Sequence, residues 1–289
     1  MSIVIHNGDH RDSSTFELRT VDRAFLYGDG CFETIRIIDG APVFLNEHVE
    51  RAKKTLRFLG IEEPEILNPS MLHSLIANLC VRNKIIADGK CRITLWRNSG
   101  GLYSPTSDSC QYLISCENLD TSGCTLNPKG LTIDVYQGTT INPAPLSSYK
   151  TINALPYVLA AKWAKEVGVD DVVLTGPNMN LIEATSSNLF LLIEGSLITP
   201  DLKHGGLYGT MRGQILKMAN SFGIETKQID VRTHHLQLAD EVFLTNAISG
   251  IKWVSAYKNK RYFKRLSTRI INELNRSSKI NSGLDPQEN

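Results

Sequence analysis

The sequence predicts an α+β fold in two halves that meet near residue 120. Three observations carry this expectation. Short apolar runs bounded by glycine alternate with stripes at helical spacing along the chain. The stretch Asp120–Lys129 (DTSGCTLNPK) has the composition of a linker. The 289 residues, 42% of them hydrophobic, suffice for one large or two modest domains. We therefore expect a smaller α/β domain over residues 1–119 and a larger C-terminal domain over residues 120–289.

Phe32–Ile38 (FETIRII), between Gly28, Gly30 and Gly40, reads as a strand. From Asn46 to Leu59 the apolar residues Val49, Ala52, Leu56 and Leu59 recur at helical spacing, and Gly60 offers a stop. Met71–Asn83 reads as a second helix. Arg92–Trp96 and Tyr112–Ser115 read as short strands around the Gly/Ser/Pro loop Asn98–Asp108. Beyond the linker, Leu131, Ile133 and Val135 alternate as in a half-buried strand. The next helix follows Lys150, with Leu155, Val158, Leu159 and Trp163 on an apolar face expected to be core, and Gly168 near its end.

Asp171–Thr175 and Asn180–Glu183 flank a turn at Gly176-Pro177-Asn178, and Asn188–Ile193 pairs with Leu197–Thr199 around Glu194-Gly195-Ser196. The clearest helix carries Met211, Ile215, Met218, Ala219 and Phe222 as one stripe and stops at Gly223. Ser267–Leu274 reads as a last helix, and the tail from Lys279 is polar and expected to fray.

Composition excludes several function classes. Lys plus Arg total 31 against 30 Asp plus Glu, a net charge of +1, so neither a nucleic-acid footprint nor a polybasic membrane surface is expected. No apolar run approaches the roughly 20 residues of a membrane span. The N-terminus is too polar for a signal peptide. The six cysteines form no CxxC and read as reduced thiols, so the expected location is cytoplasmic. No metal is expected, because the seven histidines contain no HExxH and His234-His235 reads as an exposed turn. Ser186-Ser187 lacks the Gly-x-Ser-x-Gly elbow of a serine hydrolase.

Three residues and one loop could carry chemistry, though each has an ordinary explanation. The loop His204–Thr210 (HGGLYGT) brings glycines to a helix start, where first-turn N–H groups face an anion; a flexible capping loop has the same composition. Lys150 sits between a strand and an apolar helix, where most lysines are solvated cations. Glu183 ends a strand before small polar residues, and a carboxylate there either caps a turn or meets a cationic ring nitrogen. Arg51 follows Glu47 by one helical turn, which suggests a surface ion pair. Trp96 and Trp253 read equally as core or pocket.

Together, however, the motifs resemble the class IV aminotransferase family, the fold-type IV pyridoxal-phosphate enzymes. The resemblance covers Asp22 to about Val254. It rests on Asp22-Arg23-Ala24 with Tyr27-Gly28-Asp29-Gly30-Cys31-Phe32-Glu33, His48-Val49-Glu50-Arg51, Lys150, and Glu183 with Ser186-Ser187-Asn188-Leu189-Phe190. Gly209-Thr210-Met211-Arg212, Asp240-Glu241-Val242-Phe243 and Thr245-Asn246 complete it. The resemblance implies a two-domain fold like that of D-amino acid aminotransferase, with pyridoxal 5'-phosphate at the domain interface. It implies that Lys150, in the C-terminal domain, is the Schiff-base lysine and later the general acid/base.

On the same resemblance Glu183 accepts a hydrogen bond from the ring nitrogen. Arg51 and the Thr210 and Met211 N–H groups hold the phosphate, and Ser187, Asn188, Asn246 and Ala247 also belong to the cofactor site. Tyr27 and Phe32 line the substrate side, with Arg97 and Tyr103 on a loop that reaches a neighbouring subunit. The expected assembly is a homodimer with shared active sites.

The expected reaction moves an amino group between an amino acid, branched-chain or D-type, and a 2-keto acid. The alternative is 4-amino-4-deoxychorismate lyase activity, releasing pyruvate and 4-aminobenzoate. Leu155 stands where branched-chain enzymes usually carry a tyrosine, and Lys150-Thr151-Ile152-Asn153-Ala154-Leu155 resembles the lyases and D-amino acid enzymes. Arg97–Tyr103 and Thr245-Asn246-Ala247 also lean toward the lyases, whereas Phe32-Glu33-Thr34 leans toward the aminotransferases. A binding protein that keeps the fold without chemistry is the third reading; it predicts no yellow absorbance that depends on Lys150.

Overall fold

The computed structural model describes residues 2–120, 123–143 and 145–281, with side chains described through Arg276. These fall into two compact units. One comprises the residues up to Gly123 together with Tyr149–Asn153 and the described chain from Ser277 onward; the other comprises Cys124–Ser148 and Ala154–Arg276.

The first unit is built on β1 (Ile3–His6), β2 (Asp9–Asp12), α1 (Arg23–Tyr27), β3 (Gly30–Ile38), β4 (Ala41–Pro42), α2 (Leu45–Leu59), α3 (Pro69–Arg82), β5 (Gly89–Arg97) and β6 (Cys110–Asn118). Its strands run in the order β2-β1-β6-β5-β3-β4. Alternation decides which face is covered. Cys31, Ile35 and Ile37 of β3, with Cys91, Ile93 and Leu95 of β5, pack against Val49, Ala52 and Leu56 of α2 and Leu72, Ile76 and Leu79 of α3. β5 and β6 extend beyond the expected four or five residues because they pair antiparallel along their whole length. Gly60 ends α2 in the left-handed conformation, as its position suggested. Trp96 is buried and stacks on His6 at 5.9 Å.

β4 pairs only with Ile37 and Ile38, so the opening residues of β3 keep a free edge. The segment around Lys150 fills it. Phe32 N donates to Lys150 O and Ile152 N donates to Gly30 O, both at 3.0 Å, with a bridge between Cys31 and Thr151. This pairing groups residues 149–153 with the first unit, whereas sequence placed Lys150 in the C-terminal half. The division falls after Gly123; Thr121 and Ser122 of the expected linker lie outside the described residues.

The second unit contains β7 (Leu131–Tyr136), α4 (Leu155–Val167), β8 (Asp171–Thr175), β9 (Leu181–Ala184), β10 (Asn188–Ile193), β11 (Ser196–Pro200), α5 (Thr210–Ser221), β12 (Thr226–Ile229), α6 (Thr233–Leu238), β13 (Glu241–Asn246), β14 (Gly250–Tyr257), β15 (Lys260–Arg261) and the start of α7 (Arg265–Asn281). Its sheet order is β12-β11-β10-β13-β14-β7-β8-β9, and β9 also pairs with β10. That last pairing closes β10-β13-β14-β7-β8-β9 into a barrel-like ring. Leu189, Leu191, Val242, Leu244, Val254, Ile133, Val135 and Val173 belong to its core. Part of the polar tail, residues 282–289, lies outside the described residues.

Two expectations fail here. The Leu155, Val158 and Leu159 stripe of α4 is exposed, at 66%, 58% and 40%. Instead Ala160 and Ala164, with Tyr157 and Trp163, pack on Tyr136, Leu174 and Ile182. Small alanines let the helix approach the sheet closely, a choice that apolar periodicity alone does not reveal. His234 and His235 lie in α6 rather than a turn, and His235 Nδ1 accepts the Arg232 N–H at 2.9 Å. No helix among the described residues is long and apolar enough to cross a membrane.

Candidate active site

In the first unit the site grows from β3. Glu33 points toward α2, where His48 and Arg51 occupy the same face one turn apart. Its Oε1 accepts Arg51 Nε at 2.8 Å, and its Oε2 accepts Arg51 Nη2 and faces His48 Nδ1, both at 2.6 Å. Burial opposes ionisation of Glu33, but the charge and hydrogen bonds of Arg51 and the His48 contact outweigh it, holding the carboxyl at about 2. Burial likewise pushes His48 below its ordinary value. The expected surface role of Arg51 thus gives way to a bidentate pair with the buried Glu33.

The opposite face of β3 carries Phe32. Lys150 Nζ lies 4.4 Å from the centre of its ring, and Arg92 Cζ of β5 lies 3.9 Å from it. Both cations profit from the negative face of the aromatic ring. The Arg92 guanidinium has no hydrogen-bond or ion-pair partner among the described residues. Burial pulls Arg92 below its ordinary value. Sequence reading missed this arginine; its two-residue offset from Thr94, which faces Phe32 across the ladder, was the available signal.

Tyr27 and Tyr103 do come together, with ring centres 5.8 Å apart, and Arg23 lies over Tyr27. Arg97 does not join them. It is buried, donating to Asp29 Oδ2 at 2.9 Å, Gly60 O at 2.8 Å and Leu59 O at 2.5 Å, and pairing with Asp108. Within its own unit, carboxylates and carbonyls surround the guanidinium, which holds the loop to the scaffold. Arg23 instead holds the loop, donating to Leu102 O at 2.6 Å and Gly100 O at 3.1 Å.

In the second unit the residues converge on Glu183. The cross-strand pair Asn188↔Glu183 sets the amide beside the carboxylate. Glu183 is 4% exposed; its Oε1 accepts the Tyr157 hydroxyl at 2.7 Å, and its Oε2 accepts Asn188 Nδ2 at 3.1 Å and Leu207 N at 3.0 Å. Ser187 Oγ accepts Asn246 Nδ2 at 3.0 Å, and Asn246 Oδ1 accepts the N–H groups of Ile248 and Ser249. α5 opens at Thr210 with Gly209 as N-cap and no side-chain cap, and Met211 is buried behind it. Ala247 follows Asn246 in the turn into β14.

Glycine is needed at 209, since a Cβ there would stand 1.9 Å from Asn188 Oδ1. Gly209→Ala is accordingly expected to lower the unfolding free energy by about 1–3 kcal/mol. Urea denaturation checks this, and an unchanged midpoint would mean that Asn188 yields freely.

The profile of the amino-transferase class IV family matches residues 30–257. A Methanocaldococcus jannaschii protein, provisionally named a branched-chain-amino-acid aminotransferase, is 30% identical over 254 residues, covering 85% of this chain and 84% of its own. Aminodeoxychorismate lyase of Bacillus subtilis is also 30% identical, over 258 residues, covering 85% and 83%. The structure of Escherichia coli branched-chain amino acid aminotransferase matches with a TM-score of 0.85 at 21% identity, covering 99% of this chain and 97% of that one, and shows the fold. With a family match across most of its length and both units built as in such a structure, the chain belongs to the class IV aminotransferases.

Proposed function

We propose that this chain uses pyridoxal 5'-phosphate to move an amino group between an amino acid, branched-chain or D-type, and a 2-keto acid. The observation that carries this reading is the buried Glu183 carboxylate with its three donors. The residues fit the cofactor. A fixed carboxylate suits a protonated pyridine nitrogen, and the glycine-led start of α5 suits a phosphate. When bound, pyridoxal phosphate supplies an aldehyde for the substrate amine and a ring that accepts the electron pair left at Cα.

The chain's own residues supply the rest. Lys150 Nζ holds the cofactor and then moves the proton at Cα as general acid/base. Glu183 keeps the proton on the ring nitrogen. Arg51, oriented by Glu33, contributes charge toward the phosphate, together with the N–H groups of Thr210 and Met211 and the turn of Ser187, Asn246 and Ala247. Asn188 acts through Glu183, which its amide orients. Tyr27, Phe32 and Tyr103 serve the substrate side. A cytoplasmic homodimer with shared active sites is part of this reading.

Arg92 adds a substrate expectation. A guanidinium without an acceptor among the described residues, on the same ring as Lys150, suits a substrate carboxylate. Arg92→Leu is expected to raise KM for a carboxylate-bearing partner by about 10- to 100-fold with little change in kcat; a KM within twofold of wild type would remove Arg92 from the site.

The second reading, 4-amino-4-deoxychorismate lyase, is favoured by a Bacillus subtilis relative as similar as the aminotransferase one. One experiment separates the two. The purified protein is given L-leucine, D-alanine or L-glutamate with a keto acid, and separately aminodeoxychorismate. Transfer yields a new amino acid and a new keto acid; pyruvate and 4-aminobenzoate from aminodeoxychorismate, with no transfer from any amino acid, would establish the lyase.

A further inference from the structure

Tyr157 lies in the first turn of α4, seven residues beyond Lys150, and the family motifs leave it without a role. Its ring packs against the cluster of Tyr136, Leu174 and Ile182, while its hydroxyl reaches Glu183 Oε1 at 2.7 Å. The other oxygen of Glu183 takes Asn188 Nδ2 and Leu207 N. Donors from α4, β10 and the loop before α5 thus hold both oxygens, which fixes the plane of the carboxylate. Charge-assisted hydrogen bonds of this kind favour the ionised form of a buried acid, and the charge of Arg212 on α5 acts on Glu183 in the same direction. Burial, with the Glu183 charge beside it, pushes the Tyr157 phenol well above its ordinary range, so the hydroxyl keeps its proton to donate.

Resting on the cofactor reading above, we propose that Tyr157 is a positioning residue whose hydroxyl orients Glu183 and keeps it ionised for the ring nitrogen of pyridoxal phosphate. Tyr157 acts through Glu183. Its removal therefore weakens cofactor binding most where Glu183 is nearest to protonation, at the acid end of the pH range.

The test is a cycle of wild type, Tyr157→Phe, Glu183→Gln and the double variant, each stripped of cofactor and titrated with pyridoxal phosphate across pH; Lys150→Ala is run alongside. Phenylalanine keeps the packed ring, and thermal melting of the stripped proteins confirms the fold before titration. Tyr157→Phe is expected to weaken binding about tenfold at neutral pH. It should also move the acid limb of the affinity profile upward by about one pH unit. In the Glu183→Gln background the same change should alter affinity less than twofold.

An unchanged affinity and pH profile in Tyr157→Phe overturns the proposal, as does a tenfold loss that persists with glutamine at 183. If Tyr157→Phe does not fold, Tyr157→Leu, which also removes the hydroxyl, takes its place in the cycle under the same expectations, and a wild-type pH profile in Glu183→Gln overturns the proposal as well. A wild-type protein whose visible band is absent, or indifferent to Lys150→Ala, overturns the cofactor reading and this proposal together.

Discussion

Lys150→Ala is expected to lower turnover by at least about 10³-fold, since under the proposed function the substitution removes the group that moves the proton at Cα. The protein should also lose any yellow colour on purification with pyridoxal phosphate. Loss of fold does not confound this result. The segment is held by backbone hydrogen bonds, Phe32 N to Lys150 O and Ile152 N to Gly30 O, which alanine keeps. The side chain contributes a contact between Nζ and the Phe32 ring, worth about 0.5–1 kcal/mol at a partly open site. Steady-state rates, an absorption spectrum and a melting curve on the same preparation check all three points. Turnover within tenfold of wild type would remove Lys150 from the chemistry.

Glu33→Gln is expected to produce the largest loss of stability, about 3 kcal/mol at neutral pH, because it leaves the half-buried Arg51 charge beside a neutral group. The pH dependence has a definite sign. The folded carboxyl sits at about 2 against an ordinary value of 4.5, so its stabilisation is fully present above pH 4.5. It is lost as pH falls through 2. The gap between wild type and Glu33→Gln should therefore be constant above pH 4.5 and shrink below it. Urea midpoints measured at pH 7, 5 and 3.5 test this. A gap that widens on acidification would mean that the Glu33–Arg51 pair does not stabilise the fold.

Much of the local structure was legible because it is written in periodicity. The α2 stripe ending at Gly60, the α5 stripe behind Gly209 and the β10–β11 hairpin all lie where spacing and glycines put them. Glu183, Ser187, Asn188 and Asn246 were singled out for a different reason, as an ordered pattern resembling a family, and the structure pairs Asn188 with Glu183 and Asn246 with Ser187. Arg92 and Tyr157 were not legible. Neither belongs to a motif, and each reaches its partner across an element boundary, through strand register in one case and a helix-to-strand contact in the other.

Arg97 and the α4 stripe show the converse. A motif arginine is absorbed by Asp29 and backbone carbonyls, and an apolar face is left open because two alanines packed better.

Sequence alone therefore determined the α+β class, several of the helices and strands, and the family, since periodicity and motif order are properties of a one-dimensional chain. Only the tertiary structure decided partners. Arg51 turned to Glu33, Arg97 to Asp29, Glu183 to Tyr157, and the Lys150 segment to the open edge of β3. A buried charge or an unpaired strand edge must find a complement, and which one it finds depends on what folding brings within hydrogen-bonding distance.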